Sequence, residues 1–120
     1  MFDLYAKKLK ELGHDVPKVF DKVSKQGARY FEREAKKITT EKRLVDTGNY
    51  RNSWHAKAVD LGGAYAVHCE NTAEYASYLE YGHRLKDGNK TNGNFVGEQA
   101  VGNTRYKLYE LLEKEMGKIL

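Results

Sequence analysis

Apolar residues recur along this chain in two different periods. Phe2, Tyr5, Leu9 and Leu12 fall three and four residues apart and predict a short amphipathic helix within residues 1–14, stopped at Gly13. Val16, Val19, Phe20, Val23, Gly27, Tyr30, Phe31 and Ile38 continue the helical spacing and predict a long helix over 15–39. Asp15 can cap it, and Pro17 sits in the first turn, where a missing N–H matters least. At 1.5 Å per residue such a helix spans about 37 Å. Thr39 to Leu44 is polar and reads as irregular.

The period then changes to two. Asp46, Thr47, Gly48 and Asn49 form a cluster with strong turn chemistry. Beyond it, Trp54, Ala56 and Ala58 alternate with His55, Lys57 and Val59. Asp60-Leu61-Gly62-Gly63 reads as a turn, and Tyr65, Val67 and Cys69 alternate on the way back, so residues 52–70 form a hairpin. Asn71 or Thr72 can cap a short helix running through Ala73 to Tyr81 and closed by Gly82. Residues 83–94 are polar, rich in Gly and Asn, and predict a flexible loop. A last helix over 97–118 carries Val101, Leu108, Leu111, Leu112 and Ile119 as its apolar stripe. The predicted class is α+β: a long N-terminal helix, a small antiparallel sheet built on a β-hairpin, a short helix and a long C-terminal helix.

At 120 residues the chain fits one domain, 1–120, and excludes folds of roughly 250 residues such as the eight-stranded α/β barrel. Hydrophobic residues make up 40% of it, which is too many for a disordered chain. The basic, early-charged start is neither a signal peptide nor a membrane span, and the single Cys69 excludes an internal disulfide.

The residues give no catalytic constellation. His14, His55, His68 and His83 have no metal-ligand spacing with one another or with Cys69, which sits in a strand pattern as a small hydrophobe. Asp46-Thr47-Gly48 matches the aspartic-protease tripeptide, but that fold is nearly all strand and this pattern is mostly helix. No phosphate-binding loop, dinucleotide fingerprint or nucleophile elbow occurs. The residues therefore predict no enzyme, no cofactor and no metal.

Charge and aromatic content are more informative. Net charge is +4, but residues 1–45 hold 12 basic and 7 acidic side chains, 46–81 hold 2 and 5, and 82–120 hold 7 and 5. A basic arm and an acidic middle can attract nucleic acid or another copy of the chain. Lys18, Lys22, Lys25, Arg29 and Lys36 on the long helix could touch phosphates, although Asp21, Glu32 and Glu34 are interleaved. Nine tyrosines exceed what a small core can bury, and Tyr75, Tyr78 and Tyr81 fall near one helical face beside Leu79.

Three segments, taken in order, resemble a known family. Asp46-Thr47-Gly48-Asn49-Tyr50-Arg51-Asn52-Ser53-Trp54 resembles a Thr-Gly…Arg-x-Ser entry into a hairpin. Ala73 to Gly82 resembles a Tyr-Ala-x-Tyr-Val-Glu-Phe-Gly element, and Asn94-Phe95-Val96-Gly97-Glu98-Gln99-Ala100 resembles a Pro-Phe-Leu-x-Pro-Ala helix opening. Asn94 replaces the proline, Gly97 and Glu98 occupy its x-Pro region, and His83 replaces a threonine. Together they resemble the tail-component or tail-completion (head–tail joining) family of long-tailed bacteriophages and prophages.

That resemblance implies a non-enzymatic virion protein at the tail or head–tail interface, made in the bacterial host cytoplasm. It would form a homo-oligomeric ring in the assembled particle, beside neighbouring neck or tail proteins. DNA could pass through the ring without sequence-specific recognition, and no membrane is involved. Asp46, Thr47, Gly48, Arg51 and Ser53 are then expected to form a structural turn. Glu74, Tyr75, Tyr78, Glu80 and Tyr81 of one subunit are expected to meet Lys22 and Lys25 of the next. Arg84, Lys86, Lys90 and Phe95 are expected to form an assembly loop. The alternative class is a small basic nucleic-acid-binding module, which pI ≈ 9.1 favours.

Overall fold

A single helix, α1 (Phe2–Glu41), is the axis along which the other elements are laid. The computed structural model describes residues 2–44, 48–62, 64–82 and 84–119, with side chains from Gly13 onward. After α1 come α2 (Asn49–Asn52), β1 (Trp54–Asp60), β2 (Tyr65–Asn71), α3 (Ala76–Tyr81) and α4 (Val96–Ile119). The class is α+β, and the two strands pair antiparallel from Trp54 opposite Asn71 to Asp60 opposite Tyr65.

The expected break between a 1–14 helix and a 15–39 helix does not occur. α1 runs through Gly13 and Pro17 and on past Thr39 to Glu41. A glycine inside a helix costs only about 1 kcal/mol. It also stands four residues before Pro17, where the proline ring presses on the preceding turn and a residue without a side chain yields most easily. The apolar spacing stays in phase across the junction, with Leu12 followed by Val16, Val19 and Phe20, so one helix presents one stripe.

α4 packs antiparallel to α1. The Asn103 side chain donates to the Glu34 carboxylate (2.9 Å), and Lys22 Nζ donates to Glu115 Oε1 (3.2 Å). This constant register puts Ile119 opposite residue 18. The expected stripe holds at Leu108, Leu111, Leu112 and Ile119, all half-buried, but at the start of α4 Val96, Ala100 and Thr104 are buried while Val101 is 38% exposed. Small residues at four-residue steps let the helices approach closely, and Val101 is one position off that row. Gly27 completes the approach, since a Cβ there would run into the Leu108 side chain.

The core lies at the C-terminal half of α1. Phe31, Ala35 and Ile38 meet Tyr50, Trp54, Val96 and Ala100. Trp54 stands edge-on to Phe31 (5.8 Å between centroids) and to Tyr50 (5.4 Å). Its indole N–H donates to Thr39 Oγ1 (3.0 Å), and that fully buried hydroxyl donates to the Ala35 carbonyl (2.7 Å). Glu32 accepts the Ala56 N–H (2.8 Å) and fixes β1 on α1.

Trp54→Phe leaves the Thr39 oxygen without its donor, and Thr39→Val leaves the buried indole N–H without an acceptor. Each should cost about 1–3 kcal/mol in urea denaturation. The double variant should lose less than the two combined, because neither unpaired group remains. Strict additivity would remove this bond from the account of stability.

Glu115 is buried yet charged. Hydrogen bonds from Lys22, then from Lys118, hold its carboxyl below the ordinary 4.5. A lowered acid stabilises the fold fully above its ordinary value and ceases to do so as pH falls through the lowered one. Wild type should therefore lose more stability than Glu115→Gln as pH falls below about 4.5, read as denaturation midpoints.

Candidate functional site

The end of the molecule opposite the start of α1 gathers α2, α3, the segment after α3 and the N-terminus of α4. Gly48 opens α2 with φ 78°, a left-handed conformation that a side chain rarely adopts. The Asn52 N–H closes back on its carbonyl (2.9 Å), and Ser53 Oγ donates to the Asn49 carbonyl (2.6 Å). The expected turn is thus the entry to a short helix that carries Arg51 half-exposed and Tyr50 buried. Asp46 and Thr47 lie outside the described residues. Burial, with the Glu80 charge second, raises the Tyr50 phenol well above its ordinary 10.0.

α3 is tied to this core. Asn71 Nδ2 donates to the Tyr50 carbonyl (2.8 Å), and Asn71 Oδ1 accepts the Ala73 N–H (2.9 Å). The Tyr75 ring lies 6.4 Å from that of Tyr50. Tyr75, Tyr78 and Tyr81 all turn outward, with Tyr81 63% exposed. They form an aromatic surface of the kind enriched at protein contacts.

Glu80 is not part of that surface alone. Its two carboxylate oxygens accept the N–H groups of Gly97 (2.8 Å) and Glu98 (2.9 Å), the unpaired first donors of α4. A residue 17 positions upstream in the sequence therefore caps the last helix. No capping pattern next to α4 announces it, which is why the residue spacing points only to a contact role.

The segment after α3 divides in two. Arg84 to Lys90 is exposed and closes on itself, with Arg84 bridged to Lys90 and the Leu85 N–H donating to the Asn89 carbonyl (2.6 Å). Beyond it, Asn94 is pinned to the Leu79 carbonyl by its backbone N–H (2.9 Å) and its side chain (2.8 Å). Phe95 follows with φ 51° and a ring standing edge-on to Tyr81 (6.3 Å). Left-handed backbone at an L-residue costs roughly 1–2 kcal/mol.

Between β2, α3 and the first half of α4 runs an open groove of about 790 Å³. Phe31, Trp54 and Val101 supply its apolar walls, and Glu70, Glu80, Glu98 and Arg105 line its charged edge. Cys69 also lines it, and burial pushes its thiol up to about 11.

Lys22 and Lys25 lie far from this end. Sixteen residues of α1 separate Lys22 from Ile38, about 24 Å of helix. Both already hold carboxylates, Lys22 that of Glu115 and Lys25 that of Asp21. Within one chain the predicted contact residues thus occupy two separate regions. Among the described residues no group of three His, Cys, Asp or Glu is placed to hold a metal ion, and no helix is long and apolar enough to cross a membrane.

Glu80→Ala should cost about 1–2 kcal/mol in thermal or urea denaturation, since two helix-end donors lose their acceptor. Glu74→Ala, on the exposed turn before α3, should stay within about 0.5 kcal/mol. Equal effects would mean that Glu80 has no capping role.

The family model described as "Bacteriophage HK97-gp10, putative tail-component" matches residues 4–82. No curated protein and no solved structure matches the chain.

Proposed function

The chain belongs to the HK97-gp10-like family of bacteriophage tail components, and we propose that it is a non-enzymatic virion protein acting in tail completion or head–tail joining as one subunit of an oligomeric ring. The family match over residues 4–82 carries this reading. It takes in nearly all of α1, the hairpin and α3, and so most of the chain.

Two structural features support it. The molecule is elongated, 73 × 23 × 18 Å. The exposed tyrosines of α3 and the lysines Lys22 and Lys25 of α1 occupy separate regions of the chain, as a head-to-tail contact would require. In such a ring Tyr75, Tyr78 and Tyr81 would supply apolar burial, with Glu74 at the rim facing lysines of the next subunit. Arg84, Lys86 and Lys90 would reach a neighbouring neck or tail protein from their exposed loop. The nucleic-acid reading is the weaker one, because Lys22 and Lys25 already hold carboxylates of their own chain.

The test is the particle. In the phage or induced prophage that encodes it, the chain should be found in purified virions by mass spectrometry. A stop codon in its reading frame should leave heads and tails unjoined or tails unfinished in electron micrographs. Glu74→Lys should fold normally and restore fewer joined particles than wild type. Normal, infectious particles without the chain would refute the role.

A further inference from the structure

We propose that the free edge of β2 takes an added strand: an extended segment of another protein of the particle, with a basic side chain at the end lying beside α3. This rests on the virion reading and names a surface through which the chain would hold a neighbour.

Register decides which backbone groups β2 has to offer. The Leu61 N–H donates to the Ala64 carbonyl (2.7 Å) and the Thr72 N–H to the Ser53 carbonyl (3.0 Å), one at each end of the hairpin. Bonded pairs alternate along an antiparallel ladder, so Ala66, His68 and Glu70 bond to β1. Tyr65, Val67 and Cys69 turn their N–H and C=O groups away from it. The same alternation turns Ala56 outward on β1, and there Glu32 of α1 accepts its N–H (2.8 Å). The β2 edge has no such cover. Among the described residues only the Cys69 thiol approaches its outward groups, 3.8 Å from the Val67 carbonyl.

Beside that edge α4 is left bare. Val67 sits over the seam between the two long helices, since a Cβ on Gly27 would stand 3.5 Å from its Cγ2 and run into the Leu108 side chain. Two helices packed about 8–10 Å apart can underlie about four strands spaced about 4.8 Å. This sheet has two strands. Beyond the seam, Glu98, Val101, Arg105, Tyr109 and Leu112 of α4 line open space along β2. Arg105 borders both the groove of about 790 Å³ and a pocket of about 240 Å³ at the hairpin end, so the space is continuous. Val101 is 38% and Tyr109 66% exposed, apolar surface that an added strand would cover. The row from Glu98 to Leu112 spans about 21 Å, the length of about six extended residues. β2 itself has seven.

The occupant follows from what the space excludes and from its charge. A second copy cannot lend β1 or β2, because α1 packs beneath both strands and would fall where α4 already lies. Its exposed loop from Arg84 to Lys90 is closed on itself. The added strand therefore comes from a different protein and has no helix beneath it. At the α3 end, Glu70 and Glu98 line the groove. Among the described residues none binds the Glu98 carboxylate, and the ion-pair partner of Glu70 is His68 at 3.6 Å. Glu80 already holds α4 and adds nothing here. Arg105 stands midway along the row. A cation is thus favoured at the α3 end and disfavoured at the middle. Main-chain bonds would supply affinity, and this charge pattern the orientation.

The experiment uses the full chain in assembled particles, with the photo-reactive residue p-benzoylphenylalanine in place of Tyr109. Irradiation should join it to a different particle protein, at a stretch holding a Lys or Arg within about six residues. Two further variants probe the edge. Cys69→Pro removes one outward N–H and leaves the ladder to β1 intact, and Glu98→Lys reverses the charge at the α3 end. Each should lower the product per particle about tenfold. Lys57→Glu, on the face of the hairpin turned away from α1, should leave it unchanged. Urea denaturation of each free chain checks the fold, and if Cys69→Pro does not fold, Glu98→Lys decides. A product joining two copies of the chain, no product, or a product that neither variant lowers overturns the proposal. In those cases a chain still required in joined particles keeps its virion role and loses only the added strand. Absence of the chain from particles removes both.

Discussion

A buried hydroxyl on a helix needs a use for its polar atom, and Thr39 meets that need twice. It donates to Ala35 one turn back and accepts from the Trp54 indole. That second bond fixes where the first strand begins, because Trp54 is its first residue. With the indole held there, Phe31 and Tyr50 pack edge-on against it, and Tyr50 is carried into the core on the short helix that Gly48 opens. The groove's apolar wall is another surface of the same indole. Hairpin position, the α2 turn and the groove thus share one anchor. Its strength lies less in the net value of one hydrogen bond than in the cost of leaving either partner unpaired in the core.

Much of this architecture is legible in the sequence because periodicity survives in it. The change from 3.6 to 2 and back locates the hairpin and both long helices within a few residues. Local stop signals are read less well. Gly13 and Pro17 each suggest a boundary, yet the phase of the apolar stripe runs through both, and the helix follows the stripe. α2 escapes notice because its reason is tertiary: Tyr50 has no periodic partner, and its burial comes from the Trp54 and Tyr75 rings beside it. Val101 reads as core when hydrophobicity alone decides, although size decides which residues fit between the helices. Ala100 and Thr104 are buried instead, and Thr104 disposes of its hydroxyl by donating to the Ala100 carbonyl.

The charges show the same limit. Counting side chains along α1 gives a basic face. The fold then commits Lys22 to Glu115, Lys25 to Asp21, and the Glu34 carboxylate to Asn103. What remains for a partner is set by which charges the fold leaves uncommitted. Glu74 remains available in this sense, whereas Glu80, six residues later, already holds the N-terminus of α4. Proximity in sequence therefore says little about which of two similar residues serves folding and which can serve contact.

Phe95 brings folding and contact to one position. Its backbone is trapped between Glu80, whose carbonyl accepts its N–H (3.1 Å), and Gln99, whose N–H closes the first turn of α4 on its carbonyl (3.0 Å). Those two bonds hold φ at 51°, a value that glycine or asparagine would adopt with less strain. An aromatic side chain gains only part of the stabilisation of a buried one here, since Phe95 is 43% exposed. Stability alone therefore gives poor grounds for a phenylalanine at this corner. Its placement does set a rigid ring at the surface against Tyr81, on a short backbone held at both ends. Strain maintained for an exposed aromatic points from an observed outlier toward a use outside the chain. It is the strongest local argument that this end of the molecule is shaped for a neighbour.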